Sequence, residues 1–227
     1  MKLKSLDKRK ANDKIIIKVN KYSLLEKSLA QILKEKVKER IEQAAIEAFY
    51  QKGFVGTKMQ MIAREADISV GLTYSYFTSK EELFASIVDS LYQQIINMME
   101  HREPEAQKEL PEDNLFQREP QFILQLLQYQ RKPFLILMDQ SKGTAFENAR
   151  DKIVEVTCAH IKRQLSPKVD QEYYHIDDIF YHILANNFIE GLLEIARHYQ
   201  GKPWAENMLN LLIRQYFYGV KGFHRGK

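Results

Sequence analysis

The chain has 227 residues, with 34 Lys and Arg against 30 Asp and Glu; 44% of its residues are hydrophobic and 28% charged. That length suits one large domain or a small one joined to a larger one, and the composition is that of a folded chain. Its longest apolar run, Phe134-Leu135-Ile136-Leu137-Met138, falls far short of the roughly 20 residues of a membrane helix. No apolar signal core follows the basic start at Lys2, Lys4, Lys8, Arg9 and Lys10, and the single cysteine, Cys158, can form no internal disulfide. These features speak against a membrane protein, a disulfide scaffold and a secreted protein, and a cytoplasmic location is expected.

Charge is unevenly spread. Residues 1–40 hold 13 basic and 5 acidic side chains, residues 41–80 are balanced, and residues 81–227 hold 17 basic and 21 acidic. A basic front end on a mildly acidic body suggests contact with a polyanion, or a solvated lysine-rich tail.

In chain order, Ile15–Val19 is the one plausible strand, too short and isolated to build a sheet. Ser23-Leu24-Leu25-Glu26 can open an extra helix running to about Leu33. Val37, Ile41, Ala44, Ala45 and Ala48 recur at helical steps, and Gly53 to Gly56 ends that helix. Thr57-Lys58-Met59-Gln60 reads as a capping box before a short helix, Lys58 to about Glu65, with Met61, Ile62 and Ala66 inward. Ser69 is a good N-cap for a second short helix, Val70 to Phe77, and Ser79-Lys80-Glu81-Glu82 is another capping box. The polar, proline-bearing stretch from His101 to Pro120 reads as a loop. Beyond it, Ile153, Val156, Thr157, His160 and Ile161 stripe a helix from Ala145 to Leu165. Ile176, Ile179, Phe180, Ile183, Leu184, Phe188, Leu192, Ile195 and Ala196 stripe a longer one within Tyr174–Tyr199. Trp204, Met208, Leu211, Leu212 and Gln215 open a last helix, Pro203–Val220. The fold class is all-α.

Two short helices joined by a three-residue turn form the helix-turn-helix plan, whose second helix enters the DNA major groove. The set Ile41-Glu42-Gln43-Ala44-Ala45, Phe49, Gly53-Phe54, Thr57, Ile62-Ala63, Ala66, Ile68-Ser69, Gly71, Tyr74, Tyr76-Phe77, Ser79-Lys80 and Leu83 resembles the N-terminal domain of the TetR family. The resemblance spans about residues 36–84. It implies a DNA-binding domain at 35–83 and a ligand-binding and dimerisation domain at 84–227; the basic extension at 1–34 departs from the family, whose members often start close to the first helix.

The residues themselves bear on DNA contact. Gly71 lets backbone approach the groove closely, or is a packing glycine. Tyr74 and Tyr76 offer hydroxyls to phosphates, and helical spacing cannot bury both beside Phe77. Thr57 and Lys58 start a helix whose first amides favour a phosphate. The family resemblance makes Lys80 a phosphate clamp. Base readers by position are Gln60, Val70, Leu72 and Ser75, with Ser69 at the front of the reading helix; Gln60 suits adenine and Leu72 a thymine methyl. Thr73 stands where the family carries an apolar residue. Either it is half-buried with its hydroxyl on a backbone carbonyl, or the helix is slightly rotated. The basic extension either adds phosphate contacts or a minor-groove arm, or is a loosely packed tail.

The resemblance implies that the body binds a small effector and forms a homodimer through its last two helices. Asn187 and Gly191 interrupt the apolar stripe, and either set a close helix crossing at a twofold interface or leave a buried asparagine bonded to backbone. Met98, Met99, Phe122, Leu126, Tyr129, Phe134, Met138, Phe146, Cys158, His182 and Phe188 are candidate pocket residues, suited to a largely apolar ligand, or are plain core. No zinc spacing, phosphate-cradling glycine loop or nucleophile elbow occurs in the sequence. His175 with Asp177 and Asp178 reads as a solvated helix start rather than a cation site. No cofactor, metal, catalytic residue or membrane partner is expected, and nothing argues for an enzyme. The expected function is a ligand-responsive regulator, most simply a repressor, binding a pseudo-palindromic double-stranded operator. The alternative is an adaptor of the same architecture with degraded or nonspecific DNA binding.

Overall fold

A computed structural model describes residues 3–100, 118–169 and 174–221. Their regular elements are helices: α1 (Leu3–Gly56), α2 (Met59–Glu65), α3 (Val70–Tyr76), α4 (Lys80–Glu100), α5 (Arg118–Tyr129), α6 (Arg131–Asp139), α7 (Ala149–Leu165), a 3-10 turn (Ser166–Lys168), α8 (Asp178–Arg197) and α9 (Lys202–Lys221). The all-α expectation holds. Most of the loop expected from His101 lies outside the described residues, and Arg118 to Pro120 already belong to α5.

Ile15–Val19, considered for a strand, lies inside α1, as does Ser23–Leu33. An isolated strand has no ladder to join, whereas helical backbone satisfies its own hydrogen bonds. The helix breaks at Gly53, whose φ of 67° and ψ of 174° leave the helical region. Pro120, Pro133 and Pro203 all fall in first helical turns, where an amide hydrogen has no intrahelical acceptor to lose.

Helix α6 is the innermost element: Phe134 through Met138 are all buried, so the longest apolar run is a core helix wrapped on every side. Around it pack α1, α4, α7 and α8. The stripe on α7 lands as expected, with Ile153, Val156, Thr157, His160 and Ile161 all buried. On α8 it lands in part: Leu192, Ile195 and Ala196 are buried, and Leu184, Phe188 and, just before the helix, Ile176 pack half-buried against the core, but Tyr181, Ala185 and Ile189 join them there, while Ile179 and Ile183 are 60% and 45% exposed. On α9 Ala205 and Leu209 are buried, and Leu211 and Gln215 point to solvent. Both helices carry more apolar residues than one core face can absorb, so periodicity finds the core stripe, with Trp204, Met208 and Leu212 packed against it on α9, and adds residues at its edge that the chain leaves exposed.

An aromatic chain joins the front of the molecule to the body. Phe84 on α4 meets Phe49 and Phe54 edge-on at 5.1 and 5.3 Å, then Phe146 at 6.2 Å, and Phe146 meets Tyr92 at 5.7 Å. Because α4 starts at Lys80 and runs to Glu100, it crosses the domain boundary expected at residue 83 and belongs to both sides.

Gly53 is held where only glycine sits without strain, and a β-carbon there would lie 2.7 Å from Gln140 Oε1. A Gly53→Ala substitution is expected to lower unfolding free energy by about 1–3 kcal/mol, read by urea denaturation; a loss under about 0.5 kcal/mol contradicts a glycine requirement at the α1 break.

Candidate nucleic-acid interface

The helix-turn-helix is built by short-range polar contacts and one long-range brace. Ser69 caps α3 as expected, its hydroxyl oxygen accepting the Leu72 amide at 3.1 Å. Thr73 is fully buried, and its hydroxyl donates to the Ser69 carbonyl at 3.2 Å. Of the two readings for Thr73, the structure takes the first: the polar atom is satisfied within the helix and its methyl joins the core. Phe77 is buried just beyond α3 in extended backbone.

With Thr73 and Phe77 turned inward and Tyr76 packed partly against the core, the other face of α3 is left outward. Gly71, Leu72, Tyr74 and Ser75 are exposed, and Val70 and Tyr76 are half-buried. A β-carbon on Gly71 would meet no atom within 4 Å, so internal packing does not require glycine there. Ahead of α3, Ser69, Lys58 and Gln60 are exposed. Arg64, on the last turn of α2, is exposed too, a basic residue of the head that no local motif marks.

Two expected contacts are corrected. Thr57 is buried, its hydroxyl 2.8 Å from the Gly53 carbonyl and 3.1 Å from that of Ala48, so it neither caps α2 nor reaches outward. The cap position passes to Lys58, which makes no side-chain cap bond, and Met59 rather than Met61 takes the buried place. Lys80 is likewise engaged internally: its ammonium donates to the carbonyls of Phe54 at 2.8 Å and Thr57 at 2.9 Å, and sits 4.0 Å from the centre of the Phe54 ring. A lysine spending its donors on two carbonyls and a ring face is a brace between α4 and the end of α1, not a free phosphate clamp. Its partners lie 23 and 26 residues upstream, beyond the reach of local spacing.

A second brace is equally invisible to local spacing. The Arg40 guanidinium on α1 donates to the carbonyls of Ala66 and Asp67 and lies 3.8 Å from the Asp67 carboxylate. It holds the turn between α2 and α3, where Asp67 adopts a φ of 52°. At the start of α4 the capping box is shifted by one residue. Ser79 accepts the Glu82 amide at 3.0 Å, but Glu82 reaches back to the hydroxyl and amide of Thr78. Those bonds hold the Glu82 carboxyl below the usual carboxylate range, the Thr78 hydroxyl being the larger cause.

In the body, six of the candidate ligand residues, Met98, Met99, Phe122, Leu126, Phe134 and Phe188, line one apolar cavity with Ile153 and Leu192. Its volume, about 30 Å³, is room for about one water. The other candidates do not reach it. Tyr129 is 74% exposed, His182 is exposed, Met138 is buried elsewhere in the core, and Phe146 packs on Phe84 and Tyr92. Cys158 is half-buried beside the Lys162–Asp178 pair; burial, then the Asp178 charge, pushes its thiol up. Gly191 packs against Leu212 of α9, where a β-carbon would come within 2.7 Å, while Asn187 is exposed. The close crossing at Gly191 is therefore between α8 and α9 of one chain.

A braced helix-turn-helix ahead of a larger helical body defines a helix-turn-helix protein of two parts. Residues 41–87 match the family described as bacterial regulatory proteins, tetR family. The uncharacterized regulator YuxN of Bacillus subtilis is 47% identical over 60 residues, 26% of this chain and 20% of that protein. The repressor NicS of Pseudomonas putida is 33% identical over 58 residues, 26% and 27% of the two chains. The match to the first three curated relatives spans 20% to 45% of their own length. Across the whole fold, the chain resembles NalD, the secondary repressor of the MexAB-OprM efflux pump in Pseudomonas aeruginosa, with a TM-score of 0.51 and 21% identity over 80% of this chain and 95% of that one. A TetR-like regulator from Rhodococcus sp. RHA1 gives 0.54 at 20% identity, over 82% and 96%.

Lys80→Met is expected to lower unfolding free energy by about 1–3 kcal/mol, because it removes two charge-assisted hydrogen bonds. An unchanged denaturation midpoint would show that the ammonium braces nothing.

Proposed function

We propose that the protein is a sequence-specific DNA-binding transcriptional regulator, a repressor, that grips a pseudo-palindromic operator as a homodimer and lets go when a small apolar molecule fills its body. The outward face of α3 carries this reading. Leu72, Tyr74 and Ser75 stand exposed around an open Gly71, while the departure at Thr73 is absorbed inside. That burial removes one of the two features that favoured a degraded reading head, the other being the neutral charge of residues 41–80. Gln60, Val70, Leu72 and Ser75 touch base edges, and Lys58, Ser69, Tyr74 and Tyr76 set the helix on the phosphates. Lys80 and Thr57 act one step back, by holding the end of α1, α2 and α4 together.

The uncovered apolar residues of the last two helices, Ile179, Ile183 and Leu211, support dimerisation through α8 and α9. A second copy related by a twofold axis covers them and sets two α3 helices about one helical turn, some 34–36 Å, apart.

Release follows from the cavity. At about 30 Å³ it has no room for an effector as it stands, so a ligand stabilises only a state in which Phe122, Phe134 or Phe188 has moved. Phe134 lies on α6, and the last turn of α6 leads to Gln140, whose carbonyl accepts the Phe54 amide at 3.1 Å. Displacement of α6 is thereby felt at Phe54 and, through it, at Lys80. A coupling of about 1.4 kcal/mol already changes operator affinity tenfold.

Selection from random duplex DNA at physiological salt tests this reading. A symmetric enriched motif is expected, with Tyr74→Ala lowering affinity for it at least tenfold; binding without enrichment contradicts it. Separately, Ile183→Glu is expected to yield monomers by sedimentation and to abolish preference for the palindrome over a half-site. A variant that remains dimeric contradicts the α8–α9 interface.

A further inference from the structure

We infer that the leading part of α1, residues 3–34, is a helical arm that lies along the DNA phosphates flanking the half-site read by α3. The inference rests on the DNA-binding reading above and adds a second, sequence-independent contact surface to it.

Shape comes first. Apart from the break at Gly53, α1 is one helix from Leu3, so residues 3–39 extend about 55 Å at 1.5 Å per residue. The segment is a rod continuous with the helix that carries the reading head, not a coil tethered to it. Its attachment point comes next. Arg40 fastens α1 to the carbonyls of Ala66 and Asp67, and Val70 opens α3 three residues further on. The rod therefore leaves from the same end of the head at which α3 begins, the end proposed to enter the groove. Where the rod joins the head the body does not cover it: Leu29 and residues 31–36 are exposed, with Leu29 at 59% and Leu33 at 62%.

Charge selects the partner. Residues 1–34 hold ten Lys and Arg against three Asp and Glu, while residues 41–80 are neutral. The basic character of the front end is thus concentrated in the rod rather than in the helix-turn-helix. Lys10, Lys14, Lys18 and Lys21 recur at steps of four, four and three, which in a helix fall on one face at a rise of about 6 Å per four-residue step. A duplex presents one phosphate per about 3.4 Å on each strand, so a row of this pitch meets phosphates repeatedly along its length. Pairing of two rods with each other, which exposed Leu29, Ile32 and Leu33 would otherwise favour, brings two strongly basic segments together.

The test uses the full-length protein and the palindrome obtained by selection, on two duplexes. One ends at the palindrome; the other carries about 16 base pairs more on each side, the length of the rod at about 3.4 Å per base pair. The variant is Lys10→Gln/Lys14→Gln/Lys18→Gln/Lys21→Gln, glutamine matching lysine in helix propensity. Wild type is expected to bind the flanked duplex at least tenfold more tightly than the trimmed one. The variant should lose that advantage, keep its affinity for the trimmed duplex, and show a shallower salt dependence on the flanked duplex. Removing one lysine–phosphate pair reduces the slope of log K against log salt by about 0.9. Tyr74→Ala, by contrast, should weaken both duplexes alike, which separates failure of the arm from failure of the reading head. The inference is overturned if the variant keeps both the flank advantage and the slope. It is also overturned if the variant loses affinity for both duplexes while its sedimenting mass halves, for the rod then joins copies of the chain. If wild type selects no palindrome, the DNA-binding reading fails and the arm falls with it.

Discussion

The architecture turns on the peptide units around Phe54. The Phe54 amide donates to the carbonyl of Gln140 at the end of α6, its carbonyl accepts from Lys80 at the start of α4, and its ring lies under the same ammonium. Two helices distant in sequence, α4 and α6, are thereby fixed to one residue of α1 just past the Gly53 break. The chain can reach this arrangement only because Gly53 tolerates its left-handed φ and because the Thr57 hydroxyl returns to the Gly53 carbonyl. Aromatic contacts from Phe54 to Phe84, and on through Phe146 to Tyr92, carry the same joint into the apolar body.

Position of the reading helix follows from that joint. α3 is only seven residues long and buries Thr73 alone within its span, so its own packing cannot fix its orientation. Arg40 holds the turn in front of it and Lys80 the helix behind it. The hydrogen bonds of both braces end on backbone carbonyls. The geometry of the head is thus tied to the path of the main chain, and only a shift of α1, α4 or α6 can alter it. The apolar cavity is lined by residues of α4, α5, α6, α7 and α8, two of which belong to that set. An occupant large enough to expand it therefore acts on the elements that hold the head.

Legibility in the sequence depends on the range of each interaction. The Ser69 cap, the inward Thr73 and the buried stripe of α7 are local patterns whose periodicity and hydrogen-bonding reach stay within one or two turns. Lys80 and Arg40 are not legible in that way, because their partners lie in segments that meet only after folding, while Thr57 turns back onto the Gly53 carbonyl four residues before it instead of capping α2. A basic or hydroxyl side chain near a helix start looks the same in sequence whether it faces a phosphate or a carbonyl. Ile179 and Ile183 on α8 read as core because they are apolar, although the chain itself leaves them uncovered. The leading helix reads as strand, helix and tail by turns, since Ile15–Val19 is β-prone in isolation while the surrounding lysines and leucines favour continuation of α1.

The proposed function has α3 meet DNA with its outward face while the Phe54 joint keeps it in place. Amide hydrogen exchange of the full-length protein, with and without the selected duplex, tests that most directly. Added protection is expected in peptides covering residues 58–62 and 69–76, with the segment around Phe54 already slow to exchange in the free protein. Unchanged exchange across residues 69–76 at saturating duplex would contradict α3 as the reading helix.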